Sequence, residues 1–189
     1  MKFKLAFFKM KKIKFIYFLI IIMTITSCQN NKKNKSNANE IKIELILSAK
    51  SGSDATGDIS FIEKNNLVKM SANVKDLSPG IHAIHIHEKA DCSSNDGKST
   101  GGHWNPTFEN HGKWGNNDGF HRGDIGNFQV NSSGQGKITF STDLWCLGCK
   151  DDKRNIIGKA IIIHQGEDDF ISQPSGAAGA RISCSAIIK

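Results

Sequence analysis

Between residues 41 and 188 the sequence is built from short runs in which apolar and polar residues alternate, a period of two that commits a chain to β-structure. "IKIELILSA" (41–49) sets Ile41, Ile43, Leu45 and Leu47 on one face. The habit recurs in "GDISFIE" (57–63), "LVKMSANV" (67–74), "IHAIHIH" (81–87), "GNFQV" (126–130), "GKITFS" (136–141), "IIGKAIIIH" (156–164) and "RISCSAII" (181–188). Gly, Asn, Asp, Ser and Pro clusters separate these eight runs, and helical periods are almost absent. An antiparallel sandwich or barrel is expected.

Two stretches break the rhythm. Residues 88–125 are rich in Gly and Asn and carry almost no strand pattern, and residues 165–180, "QGEDDFISQPSGAAGA", form a second irregular piece. Loops of that length inside a compact β domain are usually functional or disordered, and the ligand-type side chains of the first mark it as functional. Residues 41–189 are read as one domain, because 189 residues with 38% hydrophobic content hold one real core rather than two.

The first 40 residues are of another kind. "MKFKLAFFKMKKIK" is basic, "FIYFLIIIMTI" is apolar but short for a bilayer span, and "TSC" ends at Cys28. This order resembles a bacterial lipoprotein signal, in which the cysteine becomes the lipid-bearing first residue of the mature chain; Ile25 stands where leucine is usual. Residues 1–28 are therefore expected to be a signal peptide, Cys28 a lipidation site and residues 29–40 a flexible polar tether. The mature protein is expected to be exported to the periplasm or cell envelope and to meet a membrane only through that anchor. The formal charge of +7 resides in the same region: residues 1–28 carry +6 and residues 29–40 carry +2, which leaves the domain at −1. No basic run interleaved with aromatics occurs in the domain, so no nucleic-acid partner is expected.

Export changes the meaning of the remaining cysteines. Cys92, Cys146, Cys149 and Cys184 allow two disulfides in three connectivities. The "CLGC" spacing favours Cys146–Cys149, which would leave Cys92–Cys184. A redox motif or half a zinc site fits "CLGC" less well, because no helix start follows it in a βαβ context and no second CxxC exists. A structural loop clip is preferred.

All seven histidines fall between residues 82 and 164. His85 and His87 are two apart in a strand and leave the same face, close enough to share a metal, whereas His82 leaves the opposite face. His164 ends another strand and can meet the pair across the sheet. These imidazoles suit copper or zinc. The first loop adds His103, His111, His121 and Asp124, a tetrahedral zinc set of three imidazoles and one carboxylate. One histidine in a β core is usually a hydrogen-bonded packing residue. Six, with an aspartate, in two groups exceed that explanation.

"GIHAIHIHE", "GGHWNP", the His111–Gly112 pair, "HRGDIGN", "IIIHQGEDD" and "GAAGARISC", in this order, resemble the copper/zinc superoxide dismutases. The motifs cover about residues 80–189; residues 41–79 match only in strand pattern. The resemblance implies an eight-stranded Greek-key barrel with two long functional loops. It implies copper on His85, His87, His103 and His164, and zinc on His103, His111, His121 and Asp124, with the His103 ring bridging the two. It further implies a Cys92–Cys184 disulfide, Arg181 as the anion-guiding catalytic residue, and a carboxylate linking a copper-ligand to a zinc-ligand histidine, assigned to Asp168 with its neighbour Asp169 in "EDD" as the alternative. His82 is then a structural histidine. The implied oxidoreductase dismutates superoxide to O₂ and H₂O₂ by alternating Cu(II) and Cu(I), protecting the envelope from extracytoplasmic superoxide. A homodimer is compatible with the resemblance, without an assigned surface, because branches of the family pair through different faces.

The chain departs from the family in two places. "WCLGC" lies outside the usual pattern. Residues 165–180 contain no Lys or Arg, so substrate capture is expected to rest on Arg181 and on basic residues of the first loop such as Lys113 or Arg122. Two other readings compete. A metallo-β-lactamase-like hydrolase also uses HxH, but it needs a downstream Asp-His pair and helical layers. An envelope copper/zinc-buffering protein on the same scaffold would keep the ligands without the activity.

Overall fold

The structure, a computed structural model, describes residues 40–189. The signal segment, Cys28 and all but the last residue of the tether lie outside the described residues. Eight antiparallel strands form a closed barrel: β1 (Ile41–Ala49), β2 (Thr56–Lys64), β3 (Leu67–Lys75), β4 (Gly80–His87), β5 (Gly126–Val130), β6 (Gly136–Thr142), β7 (Ala160–His164) and β8 (Arg181–Ala186). The order around the barrel is β1-β2-β3-β6-β5-β4-β7-β8. The neighbours β3/β6 and β4/β7 are the Greek-key crossovers. One 3₁₀ turn, Lys98–Thr100, is the only helical element among the described residues.

Two kinds of strand follow from two kinds of sequence. In β1, Ile43, Leu45 and Leu47 are buried while Lys42, Glu44 and Ile46 face water; β3 buries Val68, Met70, Ala72 and Val74 in the same way. The β2–β3 hairpin turns on Asn65 and Asn66, both at positive φ (53° and 61°), which asparagine tolerates and a tight hairpin requires. By contrast β4 from His82 to His87, all of β7, and β8 from Ile182 to Ser185 are buried on both faces. Ile84, Ile86, Ile161 and Ile163 point into the barrel core. The opposite faces of these strands are covered by the two long loops, and there the ligand-type side chains gather.

One end of the first loop is fastened to this outer layer. Ala160, Ile162 and Cys184 form a small apolar cluster with Cys92, closed by the Cys92–Cys184 disulfide. With its ends 92 positions apart, that bridge stabilises by about 4 to 5 kcal/mol in the chain-entropy account. The Cys146–Cys149 disulfide is also formed.

The seventh run is shorter than its sequence pattern suggests. Residues 156–159 do not join β7, because the Ile156 N–H donates to the Cys146 carbonyl (3.1 Å) and Gly158 turns at φ 85°. The eighth run likewise stops at Ala186. Trp145, fully buried in the β6–β7 connection, packs on Phe61, Phe140 and Trp114 and donates from Nε1 to the Arg122 carbonyl (2.8 Å). It thus ties the barrel core to the first loop. Trp145→Ala should cost about 3 to 5 kcal/mol in urea unfolding. Ile46→Ala, on the exposed face of β1, should cost under about 0.5 kcal/mol. Equal losses would contradict this account of the core.

Candidate metal centre

β4 is the platform. Beyond Ile84, which still pairs with Gly126, its edge is no longer paired with β5, and the first loop takes the vacant hydrogen bonds. The Trp104 N–H donates to the Ile86 carbonyl (2.8 Å) and the Ile86 N–H donates to the Gly123 carbonyl (2.9 Å). His103 and His121 are thereby drawn beside His85 and His87. His164 arrives at the end of β7, at a register shift against β8.

Two tetrads result. Ligand atoms of His85, His87, His103 and His164 lie within 4.8 Å of one another, as do those of His103, His111, His121 and Asp124. His103 belongs to both. All seven residues are buried.

Four of the imidazoles, His85, His87, His111 and His164, are oriented by an acceptor on the far nitrogen, and a carboxylate or carbonyl accepts only from an N–H. His87 donates from Nδ1 to the Gly101 carbonyl (3.0 Å) and His164 from Nδ1 to the Gly179 carbonyl (3.4 Å). Their Nε2 atoms then face each other at 3.4 Å. His85 and His111 donate from Nε2 to the two oxygens of Asp168, at 2.8 and 2.9 Å. Asp124 meets three Nδ1 atoms: His103 at 2.9 Å, His111 at 3.0 Å and His121 at 3.3 Å. Its Oδ2 also accepts the His121 backbone N–H (2.8 Å).

Four ring nitrogens remain buried without a hydrogen bond: His85 Nδ1, His103 Nε2, His111 Nδ1 and His121 Nδ1. The His111 atom is near Asp124 but not aligned with it. Orphaned polar atoms cost about 1 to 3 kcal/mol each when nothing binds them. Bare, inward-facing lone pairs are what metal cations require. An all-imidazole set fits copper, and three imidazoles with a carboxylate fit zinc.

The sequence leaves the choice between Asp168 and Asp169 open, and the geometry separates them. Asp168 is fully buried between the tetrads, while Asp169 turns to the Ser172 hydroxyl and backbone (Oδ2···Oγ 2.5 Å). His82, on the opposite face from His85, donates from Nδ1 to the His164 carbonyl (2.8 Å), and its Nε2 lies 2.8 Å from the Ser78 carbonyl. It joins neither tetrad.

Other supports escaped sequence reasoning. Asn127 exchanges two hydrogen bonds with the Asp168 backbone (2.8 and 2.9 Å), and Gln173 brackets the His111 backbone from both sides (2.8 and 2.9 Å). At Gly176 (φ 67°) a Cβ would collide with Asp168 Oδ1 and His111 Nε2, so only glycine lets the second loop close over their hydrogen bond. Lone amides in loops carry no sequence signal, although the glycine-rich "SGAAGA" does hint at a close backbone approach.

A cavity of about 610 Å³ opens from His87, His103, His121 and His164 to the surface past Arg181, Lys98, Asp96 and Glu88. The Arg181 guanidinium is held by the 3₁₀ turn: Nη1 donates to the Gly97 carbonyl and to Thr100 Oγ1, both at 3.0 Å. Lys113 and Arg122 do not line this cavity, which corrects the sequence expectation. The Arg122 carbonyl is drawn to Trp145 and its guanidinium to the Phe120 ring, and the basic residue from the first loop at the mouth is Lys98. A larger groove of about 850 Å³ beside β1, β2 and β3 contains no histidine or cysteine and is remote from this chemistry.

Burial chiefly, with neighbouring imidazoles, holds His87 and His164 well below the ordinary histidine range and His103 at about 4. Burial opposes charge on His111 too, but Asp124 and Asp168 raise it to about 9. The three depressed groups contribute stability that is present above 6.5 and lost as pH falls. His111 contributes stability that is complete below 6.5 and lost as pH rises through about 9. The metal-free domain should therefore melt highest near about pH 6.5. A melting temperature still climbing between about pH 7 and 9 would contradict the His111 environment.

Comparison with known proteins agrees with this geometry. Residues 55–187 match the family model described as copper/zinc superoxide dismutase (SODC). An extracellular copper/zinc superoxide dismutase of Haemonchus contortus is 35% identical over 161 residues, spanning 79% of this chain and 85% of the relative. Copper/zinc superoxide dismutase 2 of Aquifex aeolicus is 36% identical over 138 residues, spanning 71% and 80%. Among solved structures, a double mutant of a superoxide dismutase-like protein from Bacillus subtilis superposes with a TM-score of 0.69 at 34% identity, over 77% of this chain and 97% of that one. The chain belongs to the copper/zinc superoxide dismutase family.

Proposed function

We propose that this chain dismutates superoxide to O₂ and H₂O₂ at the double site built around His103, and does so in the cell envelope. The observation that supports this most is the shared imidazole: His103 offers Nε2 to one tetrad and Nδ1 to the other. In this reading His85 Nδ1 and the Nε2 atoms of His87, His103 and His164 would hold copper. The Nδ1 atoms of His103, His111 and His121 would hold zinc together with Asp124. When bound, copper supplies a one-electron couple, and zinc supplies a fixed positive charge without redox chemistry.

The remaining steps belong to the protein. The cavity leads an anion toward His87, His103 and His164. Arg181, half-buried and fixed by Gly97 and Thr100, presents a guanidinium whose charge attracts superoxide and whose N–H groups orient it. His103 Nε2 is the protein atom placed to take up and return a proton during turnover. Asp168 keeps His85 and His111 in the tautomers that leave their Nδ1 atoms bare. Two superoxide ions and two protons give one O₂ and one H₂O₂, so the protein provides an anion path and a proton carrier at one point.

A second reading, an envelope copper/zinc buffer, is favoured by one observation: the Bacillus subtilis relative, 38% identical over 125 residues, is named only superoxide dismutase-like. Arg181 and the complete double tetrad weigh toward the enzyme. The purified domain should bind one copper and one zinc and accelerate superoxide decay in stopped-flow or pulse-radiolysis assays. Arg181→Ala should lower kcat/KM about tenfold or more while metal content is unchanged. A copper- and zinc-loaded domain that leaves superoxide decay unchanged would select the buffer.

The envelope assignment rests on the N-terminal signal pattern, on the two disulfides and on extracellular relatives. Cys28 is the proposed lipid-bearing residue, and the mature chain would meet the membrane only there. Cys28→Ser should leave no mature-length protein in the membrane fraction, precursor that keeps the uncleaved apolar segment being counted separately. Mature-length protein that stays with membranes would contradict the anchor.

A further inference from the structure

The Cys146–Cys149 disulfide takes no part in either tetrad, and its surroundings differ from those of a buried staple. We propose that it is a second, independent redox site, a thiol–disulfide exchange centre that accepts two electrons from a dithiol through Cys149. Three features support this.

The first is access. Cys149 is exposed, whereas Cys146 is 2% accessible, so an incoming thiolate can reach one sulfur of the pair. The other bridge is shielded: Cys184 is 1% accessible and Cys92 packs with it against Ala160 and Ile162.

The second is that this bridge can open without unfolding its loop. Its cysteines are three residues apart, against 92 for the other bridge, so opening it returns far less freedom to the chain. The segment is also held by other means. The Cys146 N–H donates to the Arg154 carbonyl (2.8 Å) and the Cys146 carbonyl accepts from Ile156 (3.1 Å). The Leu147 N–H donates to Glu63 Oε2 (2.8 Å) and the Gly148 N–H to Asn155 Oδ1 (3.0 Å). Trp145 and Leu147 are anchored in the core. The two thiols would stay neighbours and could close again.

The third is charge. The Lys189 ammonium sits so close over Gly148 that a Cβ there would lie 2.7 Å from it, and Gly148 is at φ 98°. Lys150 follows Cys149 directly; of the two acids after it, both exposed, the Asp151 carboxylate accepts from the Lys153 N–H (2.9 Å), and Cys149 Sγ itself faces the Asp151 carbonyl (3.8 Å). Positive charge beside a cysteine favours its thiolate.

The step balances as follows. A reductant thiolate attacks Cys149 Sγ and forms a mixed disulfide. The Cys146–Cys149 bond breaks, and Cys146 Sγ leaves with the electron pair and takes a proton. The second thiol of the reductant then attacks its own sulfur in the mixed disulfide, releasing Cys149. The protein gains two electrons and two protons, and the dithiol loses the same in closing to its own disulfide.

The test uses the mature chain, freed of copper and zinc so that neither metal oxidises nor binds the reagent. It is equilibrated with graded dithiothreitol, alkylated with iodoacetamide and mapped by mass spectrometry, with near-ultraviolet circular dichroism on the same samples. Cys146 and Cys149 should alkylate at dithiol concentrations about tenfold or more below those that open Cys92–Cys184, with the dichroism retained. With glutathione in place of dithiothreitol, the adduct should map to Cys149. Both bridges opening together, an adduct on Cys146, or loss of the folded signal as the pair opens would overturn the proposal. The Cys146→Ser/Cys149→Ser double variant should fold and take up both metals; failure of either would make the bridge a structural staple and overturn it equally.

Discussion

Asp168 lies fully buried between His85 and His111 and accepts a hydrogen bond from each. That pair of bonds decides which nitrogen of each ring keeps its proton and which lone pair stays bare. Asp124 is hydrogen-bonded to His103 Nδ1 and lies within 3.3 Å of the bare Nδ1 atoms of His111 and His121. Burial would raise the pKa of both carboxylates, but their imidazole partners hold them well below the usual range. A charged carboxylate with imidazole neighbours is the arrangement in which a buried acid can persist. The loops, the glycine at 176 and the amides of Asn127 and Gln173 serve this placement, because each fixes the backbone that carries an imidazole or a carboxylate.

The barrel contributes by having two sides. Its interior is an ordinary β core, whereas the outer faces of β4, β7 and β8 carry a second layer in which polar ligands and a small apolar cluster lie under the loops. The Cys92–Cys184 bridge ties the first loop to β8, two strand partners away from the ligands on β4. The same loop segment supplies Gly97 and Thr100, which grip Arg181. One covalent tie therefore bears on both ligand geometry and the cavity mouth. The Cys146–Cys149 bridge lies on the connection that presents Trp145, whose indole reaches the carbonyl beside His121.

Much of this was legible in the residues. Alternation revealed β1, β2 and β3 because each has one wet face, and the "HIH" spacing placed His85 and His87 together because a strand has a period of two. The grouping of the first loop's histidines with Asp124 could be proposed from donor chemistry alone. The ends of β7 and β8 were less legible, since "IIGK" satisfies an apolar pattern whether it pairs in a sheet or packs as a loop against Cys146. The mouth was misread because charge along a sequence does not say which way a side chain leaves a loop: Arg122 is held by aromatic neighbours, and Lys98 occupies the rim. Asn127 and Gln173 act through single amide contacts across 41 and 62 residues, a relation no local pattern encodes.

The central claim is that one imidazole serves two different metals. It is tested most directly by anomalous diffraction from crystals of the copper- and zinc-loaded protein, with data collected at the absorption edge of each metal. The copper peak should lie on the Nε2 side of the His103 ring, among His85, His87 and His164, and the zinc peak on its Nδ1 side, beside Asp124. Both peaks on one side, or a single metal position with His103 coordinated at only one nitrogen, would contradict the account.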